Sequence, residues 1–190
     1  MSRSTNFNKE ETINKAMNVF WNKGYENTSI KDLVNATGIL KGSLYNTYSS
    51  KENMFLLCLQ QYGNKSKSFH YQQGDGGVYL KDFFKKMVKE GSDKNFTKGC
   101  FIMNSCMEFA GSKSIMAKKA KVLFEATEKN LSNAVKSFLN DTNQIFDLKK
   151  VQCSLVVAAF SIREVSKFKK DKAFLKQIAN NALSDLGLEI

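Results

Sequence analysis

The chain has 190 residues, with 29 Lys and Arg against 18 Asp and Glu for a net charge of +11. Leu, Ile, Val and Phe supply about a quarter of it, above the roughly 20% below which a charged chain stays disordered. The longest apolar runs, Met54–Leu59 and Leu155–Phe160, fall far short of the about 20 residues of a membrane-spanning helix. A chain disordered throughout and a membrane span are excluded, and the basic excess favours a polyanionic partner. The polar start, Met-Ser-Arg-Ser-Thr-Asn, lacks the apolar core of a signal peptide, which predicts a cytoplasmic protein.

Proline is absent and apolar residues recur at spacings of three and four, so the fold class is predicted to be all-α. Ile13, Ala16, Met17 and Phe20 mark one face of a first helix over about Lys9 to Lys23, stopped by Gly24. A second helix follows with Ser29 as N-cap, Asp32 in its first turn and Ile30, Leu33 and Val34 on its apolar face. It ends near Gly38. After a short turn, Leu44 and Tyr48 lie four apart on a third helix over about Gly42 to Tyr48. Two short helices around a glycine-containing turn make a helix-turn-helix. Ser49-Ser-Lys-Glu52 reads as a capping box that opens a fourth helix.

Gln72 to Gly77 reads as a linker, with its glycines marking a break. Five further helices are expected beyond it, over about Tyr79 to Glu90, Phe101 to Ala110, Ser114 to Leu139, Asp147 to Phe168 and Asp171 to Leu186. The four cysteines form no C-x-x-C pair, and with one histidine, His70, no zinc spacing exists. In a reducing compartment the cysteines are thiols, and Cys58 and Cys153 above all read as buried, inert ones. No metal or cofactor is expected. An enzyme would need a base, nucleophile or metal set, and His70 falls beside the linker, away from any such pattern.

In a helix-turn-helix the second helix enters the major groove, where its outer side chains meet base edges while flanking groups hold phosphates. The outer positions here are Lys41, Gly42, Ser43, Tyr45, Asn46 and Thr47. Lys41 can donate to guanine or phosphate, Asn46 can donate and accept, and Gly42 allows close backbone approach. Thr28 and Ser29 offer hydroxyls and N–H groups at a helix N-terminus, and Lys51 stands at the start of another.

The stretch Glu11 to Leu59 resembles the TetR family of bacterial transcriptional regulators. The resemblance rests on Ala16, Phe20, Gly24-Tyr25, Thr28-Ser29, Asp32-Leu33, Ala36-Thr-Gly38, Lys41-Gly-Ser-Leu-Tyr45, Tyr48 and Ser50-Lys-Glu52. It implies a three-helix DNA-binding domain over residues 6–66, with the helix-turn-helix at about 29–48. It also implies an effector-binding and dimerisation domain over 75–190, and a homodimer that releases a palindromic operator when a small-molecule effector binds. By position it adds Tyr45 to Thr28, Ser29 and Lys51 as phosphate contacts. Leu40 stands where the family often has a capping serine or threonine, so the third helix is expected to lack that cap.

The implied effector cavity would be lined by apolar and aromatic groups. Phe84, Met87, Phe101, Met103, Met107 and Phe124 fit, and ordinary core packing explains them as well. A Gly-Cys-apolar-apolar stretch at Gly99–Ile102 is similar to one in a group of TetR-like proteins that sense oxidants or electrophiles. Cys100 first and Cys106 second are therefore candidate thiol triggers, against burial as small hydrophobes. Val151, Leu155, Ala158, Ala159, Ile162 and Val165, with Phe174, Ile178, Ala182 and Leu186, form apolar faces suited either to a four-helix dimer interface or to packing within one chain.

Overall fold

The local signals that define the helices at the front of the chain are satisfied almost residue by residue. The computed structural model describes residues 7–67, 70–142 and 147–190, with the backbone alone at Lys67; Asn6, where the first domain was expected to begin, lies outside them. Helix α1 (Lys9–Lys23) starts at the Asn8 N-cap and stops at Gly24, which adopts φ +79°. Helices α2 (Ile30–Thr37), α3 (Lys41–Tyr48) and α4 (Lys51–Lys67) follow. Next come α5 (Gly76–Gly91), α6 (Phe101–Glu108), α7 (Ile115–Thr142), α8 (Leu148–Val165) and α9 (Lys172–Leu183), with a 3-10 turn at Ser184–Leu186. Among the described residues no strand occurs, so the all-α expectation holds.

Two sequence readings need correction. The N-cap of α4 is Ser50, whose Oγ accepts the Asn53 N–H at 3.0 Å. Ser49 instead takes φ +65° and donates its N–H to the Tyr45 carbonyl at 2.8 Å, closing α3. With the cap one residue later, the third helical position is Asn53 and not Glu52, and the reciprocal box is lost. The expected linker is also shorter than read. Asp75 accepts the N–H groups of Gly77 and Val78 and starts α5 at Gly76, and a Cβ on Gly76 would lie 2.0 Å from the Ala134 carbonyl oxygen. Those glycines allow close helix packing, which in sequence looks the same as flexibility.

The chain divides into two units, but not at the linker alone. Of the described residues, 7–67 pack with Phe101–Val122, while 70–100 pack with Leu123–Thr142 and 147–190. The first unit has a core of Ile13, Ala16, Phe20, Leu33, Phe55 and Leu59, extended by aromatic edges. Phe55 meets Phe20 at 5.1 Å and Phe101 at 5.6 Å, and Trp21 meets Tyr62 at 5.0 Å. The second unit is built on Leu80, Phe84, Leu131, Leu155, Ile162 and Leu175, all fully buried. Small residues at Ala134, Ala158, Ala159, Ala179 and Ala182 let its helices approach.

Candidate nucleic-acid interface

The α1–α2 turn is ordered by its own polar groups. The Ser29 side chain accepts the Asp32 N–H at 3.1 Å, and Asp32 accepts the Ser29 N–H at 2.9 Å, a complete capping box. Lys23 donates to Asp32 at 2.6 Å. The Lys23 ammonium and the Ser29 hydroxyl hold the Asp32 carboxyl far below the usual carboxylate range. Gly38 ends α2 at φ +74° with its N–H on the Val34 carbonyl, which frees the chain to turn through Ile39 and Leu40 into α3.

Helix α3 is anchored by Leu44 and Tyr48, each 4% exposed. Its spacing of four puts both anchors on one face and leaves the other outward. Lys41, Gly42, Tyr45 and Asn46 are exposed, and Ser43 and Thr47 are half-buried at its edges. Leu40 makes no side-chain cap and is 76% exposed. The N-terminal N–H groups of α3 therefore lack a side-chain acceptor from their own N-cap, the state in which a helix start can receive an anion.

The flanking positions differ from their sequence reading. Thr28 is buried, and its hydroxyl donates to the Gly24 carbonyl at 2.6 Å, so this side chain serves the turn. The Ser29 hydroxyl is exposed but engaged with Asp32. Lys51 donates to the carbonyls of Tyr25 and Thr28 at 2.9 and 3.0 Å, and its ammonium lies 4.1 Å from the Tyr25 ring centre. Its third N–H remains for another acceptor. A lysine four carbons long at a helix start looks like a solvated charge in sequence; only the folded turn reveals the carbonyls it reaches.

Sequence reasoning missed Glu108. Its carboxylate accepts the N–H groups of Tyr25 and Glu26 at 3.0 and 2.9 Å, across more than eighty residues of sequence. No local pattern marks it, because the relation exists only once α6 packs into the first unit.

The six residues expected to line an effector cavity fall in different environments. Phe84 and Met87 are in the packed core of the second unit, and Phe101 is in the ring cluster of the first with Trp21, Tyr62 and Phe55. Met103 is half-buried, and Met107 is 66% exposed. Phe124 stacks on Phe160 at 4.8 Å and lines a groove of about 590 Å³ between α7 and α8. Ser132, Lys149, Gln152, Cys153 and Val157 also line it. Cys58 is buried with its thiol directed to the Ile13 carbonyl, and burial pushes that thiol up out of its ordinary range. Cys100 is buried just before α6, Cys106 is half-buried and Cys153 is exposed. The reading of Cys153 as buried is thus corrected; it is exposed at the α7–α8 groove.

Most of the apolar residues on α8 and α9 are covered within one chain, while Val165 and Ile178 are half-buried and Phe174 is exposed. Val151, Leu155, Ala158, Ala159, Ile162, Ala182 and Leu186 are buried within the second unit itself. Apolar periodicity reports burial without saying which chain supplies the cover. Val157, Phe168 and Phe174 remain exposed. Among the described residues no helix is long and apolar enough to cross a membrane.

Residues 13–58 match the family model for bacterial regulatory proteins, tetR family. The chain is 33% identical over 112 residues to the uncharacterized HTH-type transcriptional regulator YezE of Bacillus subtilis (strain 168), covering 57% of this chain and 58% of that one. It is 31% identical over 130 residues to the HTH-type transcriptional repressor ComR of Escherichia coli (strain K12), covering 66% and 62%. The chain thus spans about three fifths of the length of these curated relatives. Among solved structures it is similar to a cysteine mutant of the TetR family regulator CifR complexed with 26-base-pair operator DNA, with a TM-score of 0.84 and 18% identity over 96% of this chain and 98% of that one. A TetR family regulator from Cytophaga hutchinsonii superimposes with a TM-score of 0.77 and 19% identity over 97% and 98%. Residues 13–58 thus match the helix-turn-helix segment of the tetR family of bacterial regulatory proteins, and the chain shares its fold with solved structures of TetR family regulators.

Proposed function

We propose that the protein is a DNA-binding transcriptional regulator, a homodimeric repressor that releases a palindromic operator when an effector acts on its C-terminal part. The observation that carries this reading is the outward face of α3. Leu44 and Tyr48 root the helix while Lys41, Gly42, Tyr45 and Asn46 are turned to solvent. Lys41 and Asn46 supply base-edge or phosphate contacts, with Ser43 and Thr47 at the margin. Tyr45 holds phosphate, and Lys51 contributes its remaining N–H. Thr28 and Ser29 serve by shaping the turn, since their hydroxyls donate to Gly24 and Asp32 and their N–H groups to Tyr25 and Asp32. Two copies pair through the exposed residues of the α8–α9 segment, where Phe168, just past α8, and Phe174 of α9 offer apolar cover. A two-fold pair of recognition helices reads an inverted repeat.

The α7–α8 groove is a place in the second unit with room for a small effector, and Phe124 is the expected lining residue found there. A thiol trigger at Cys100 or Cys106 is the alternative input. The CifR complexes are of cysteine-substituted variants, which supports asking the same question here. Release by an oxidant or electrophile should then be lost in Cys100→Ser or Cys106→Ser; release unchanged in both variants removes this arm.

The decisive measurement is competition between an inverted repeat from the DNA beside the gene and bulk duplex. A selective complex carrying two subunits is expected. Asn46→Ala should change base preference, whereas Lys51→Ala should weaken every duplex and reduce the salt slope by about one, with an added loss on the inverted repeat because the α1–α2 turn loses its hold on the Tyr25 and Thr28 carbonyls. Equal binding to both DNAs by the unaltered protein would leave a basic helical scaffold in place of a regulator.

A further inference from the structure

Glu108 is the last residue of α6, and its two carboxylate oxygens take successive N–H groups of the α1–α2 turn. Oε2 accepts from Tyr25 and Oε1 from Glu26, the arrangement by which consecutive backbone N–H groups bind an anion. Gly24, just before them, leaves the space: a Cβ there would lie 2.9 Å from Oε1. The carbonyls of the same turn are taken from another element, since Lys51 of α4 donates to Tyr25 and Thr28. An anion on the N–H groups and a cation on the carbonyls hold the five residues that lead directly to Ser29, the cap of α2.

Helix α6 is itself firmly seated in the first unit. Phe101, its first residue, packs on Trp21 and Phe55 at 5.9 and 5.6 Å, and Phe109, just past its end, packs on Tyr25 at 5.8 Å. The carboxylate thus projects from a fixed base onto the turn. We propose that Glu108 is a positioning residue for the DNA-reading helices: it sets the entry of α2 and, through it, the presentation of α3. This rests on the DNA-reading function proposed above. Glu108 and Glu26 are exposed, and water would solvate the same groups if the pair opened, so the bonds add little to global stability. Their effect is directional, confining a turn that would otherwise sample other geometries and be ordered only on DNA.

The test uses the full chain with Glu108→Ala and Glu108→Gln. Amide hydrogen exchange at Tyr25 and Glu26 should accelerate in the alanine variant, with a smaller change in the glutamine variant, which keeps an acceptor oxygen. The melting transition should stay close to that of the unaltered protein. Affinity for the preferred inverted repeat should fall roughly three- to tenfold in Glu108→Ala, the cost of ordering a loosened segment on binding. Affinity for random duplex should hold, and glutamine should recover part of the loss. Unchanged exchange at the two amides overturns the proposal, as does equal loss on both DNAs. A collapsed melting transition in both variants also overturns it, by making Glu108 a general stability element. If the unaltered protein shows no DNA preference, the DNA reading fails and the exchange data alone decide whether Glu108 positions the turn.

Discussion

The α2–α3 pair and the α8–α9 pair are both helix pairs, yet they are held by different forces. Helices α2 and α3 have eight residues each, too short to persist alone. They bury little beyond Leu33, Leu44 and Tyr48. Directional polar contacts make up the difference: the Ser29–Asp32 box, the left-handed Gly38, and the Lys51 and Glu108 clamps on the preceding turn. Helices α8 and α9 are longer and interlock through Leu155, Ile162, Leu175 and Leu183, with alanines at the closest approaches. A surface that must meet a partner stays open when its helices are set by caps and clamps. A structural pair spends its apolar faces inward.

The contrast predicts unequal costs for altering the two regions. The largest belongs to the second unit. Phe84→Ala should destabilise it by about 3–5 kcal/mol, seen as an earlier denaturant transition, whereas Asn46→Ala on the outward face of α3 should change stability by less than about 0.5 kcal/mol. Comparable losses at both positions would erase the distinction.

Caps should dominate the front pair. Ser29→Ala is expected to cost about 1 kcal/mol through loss of the α2 cap, and Leu40→Ser to add about 0.5–1 kcal/mol by supplying the cap that α3 lacks. Amide exchange along each helix checks both signs. The smallest effect concerns acid. The Asp32 carboxyl is lowered by Lys23 and Ser29, so the folded state favours its ionised form. Its contribution is present above the ordinary carboxylate range and is lost as pH falls through and below that range. A carboxyl NMR titration should place Asp32 well below the ordinary carboxylate range, and Lys23→Ala should move it up toward that range.

Much of the front region was legible because its rules are local. A left-handed glycine, a serine three residues before an aspartate and an apolar pair four apart each act within one turn of helix, so Gly24, Ser29, Gly38, Leu44 and Tyr48 were read correctly. The missing cap at Leu40 followed from the family resemblance, and the structure bears it out. Ser49 misled because two adjacent serines can each cap a helix, and the choice between them depends on which one takes positive φ. In the rear region, Phe84 and Phe101 are equally apolar in sequence, but one lies in the core of the second unit and the other in the ring cluster of the first. Periodicity identifies a face that must be buried without naming what buries it.

The order and type of the helices and the polar outer side of α3 follow from residue spacing alone, because helix periodicity, caps and glycine conformations are properties of neighbouring residues. The inward commitment of the α8–α9 faces, the close packing at Gly76, the engagement of Thr28 and Lys51 and the reach of Glu108 to the α1–α2 turn were decided by the tertiary structure. Each depends on groups far apart in the chain, and hydrogen bonding and burial act on distance in space.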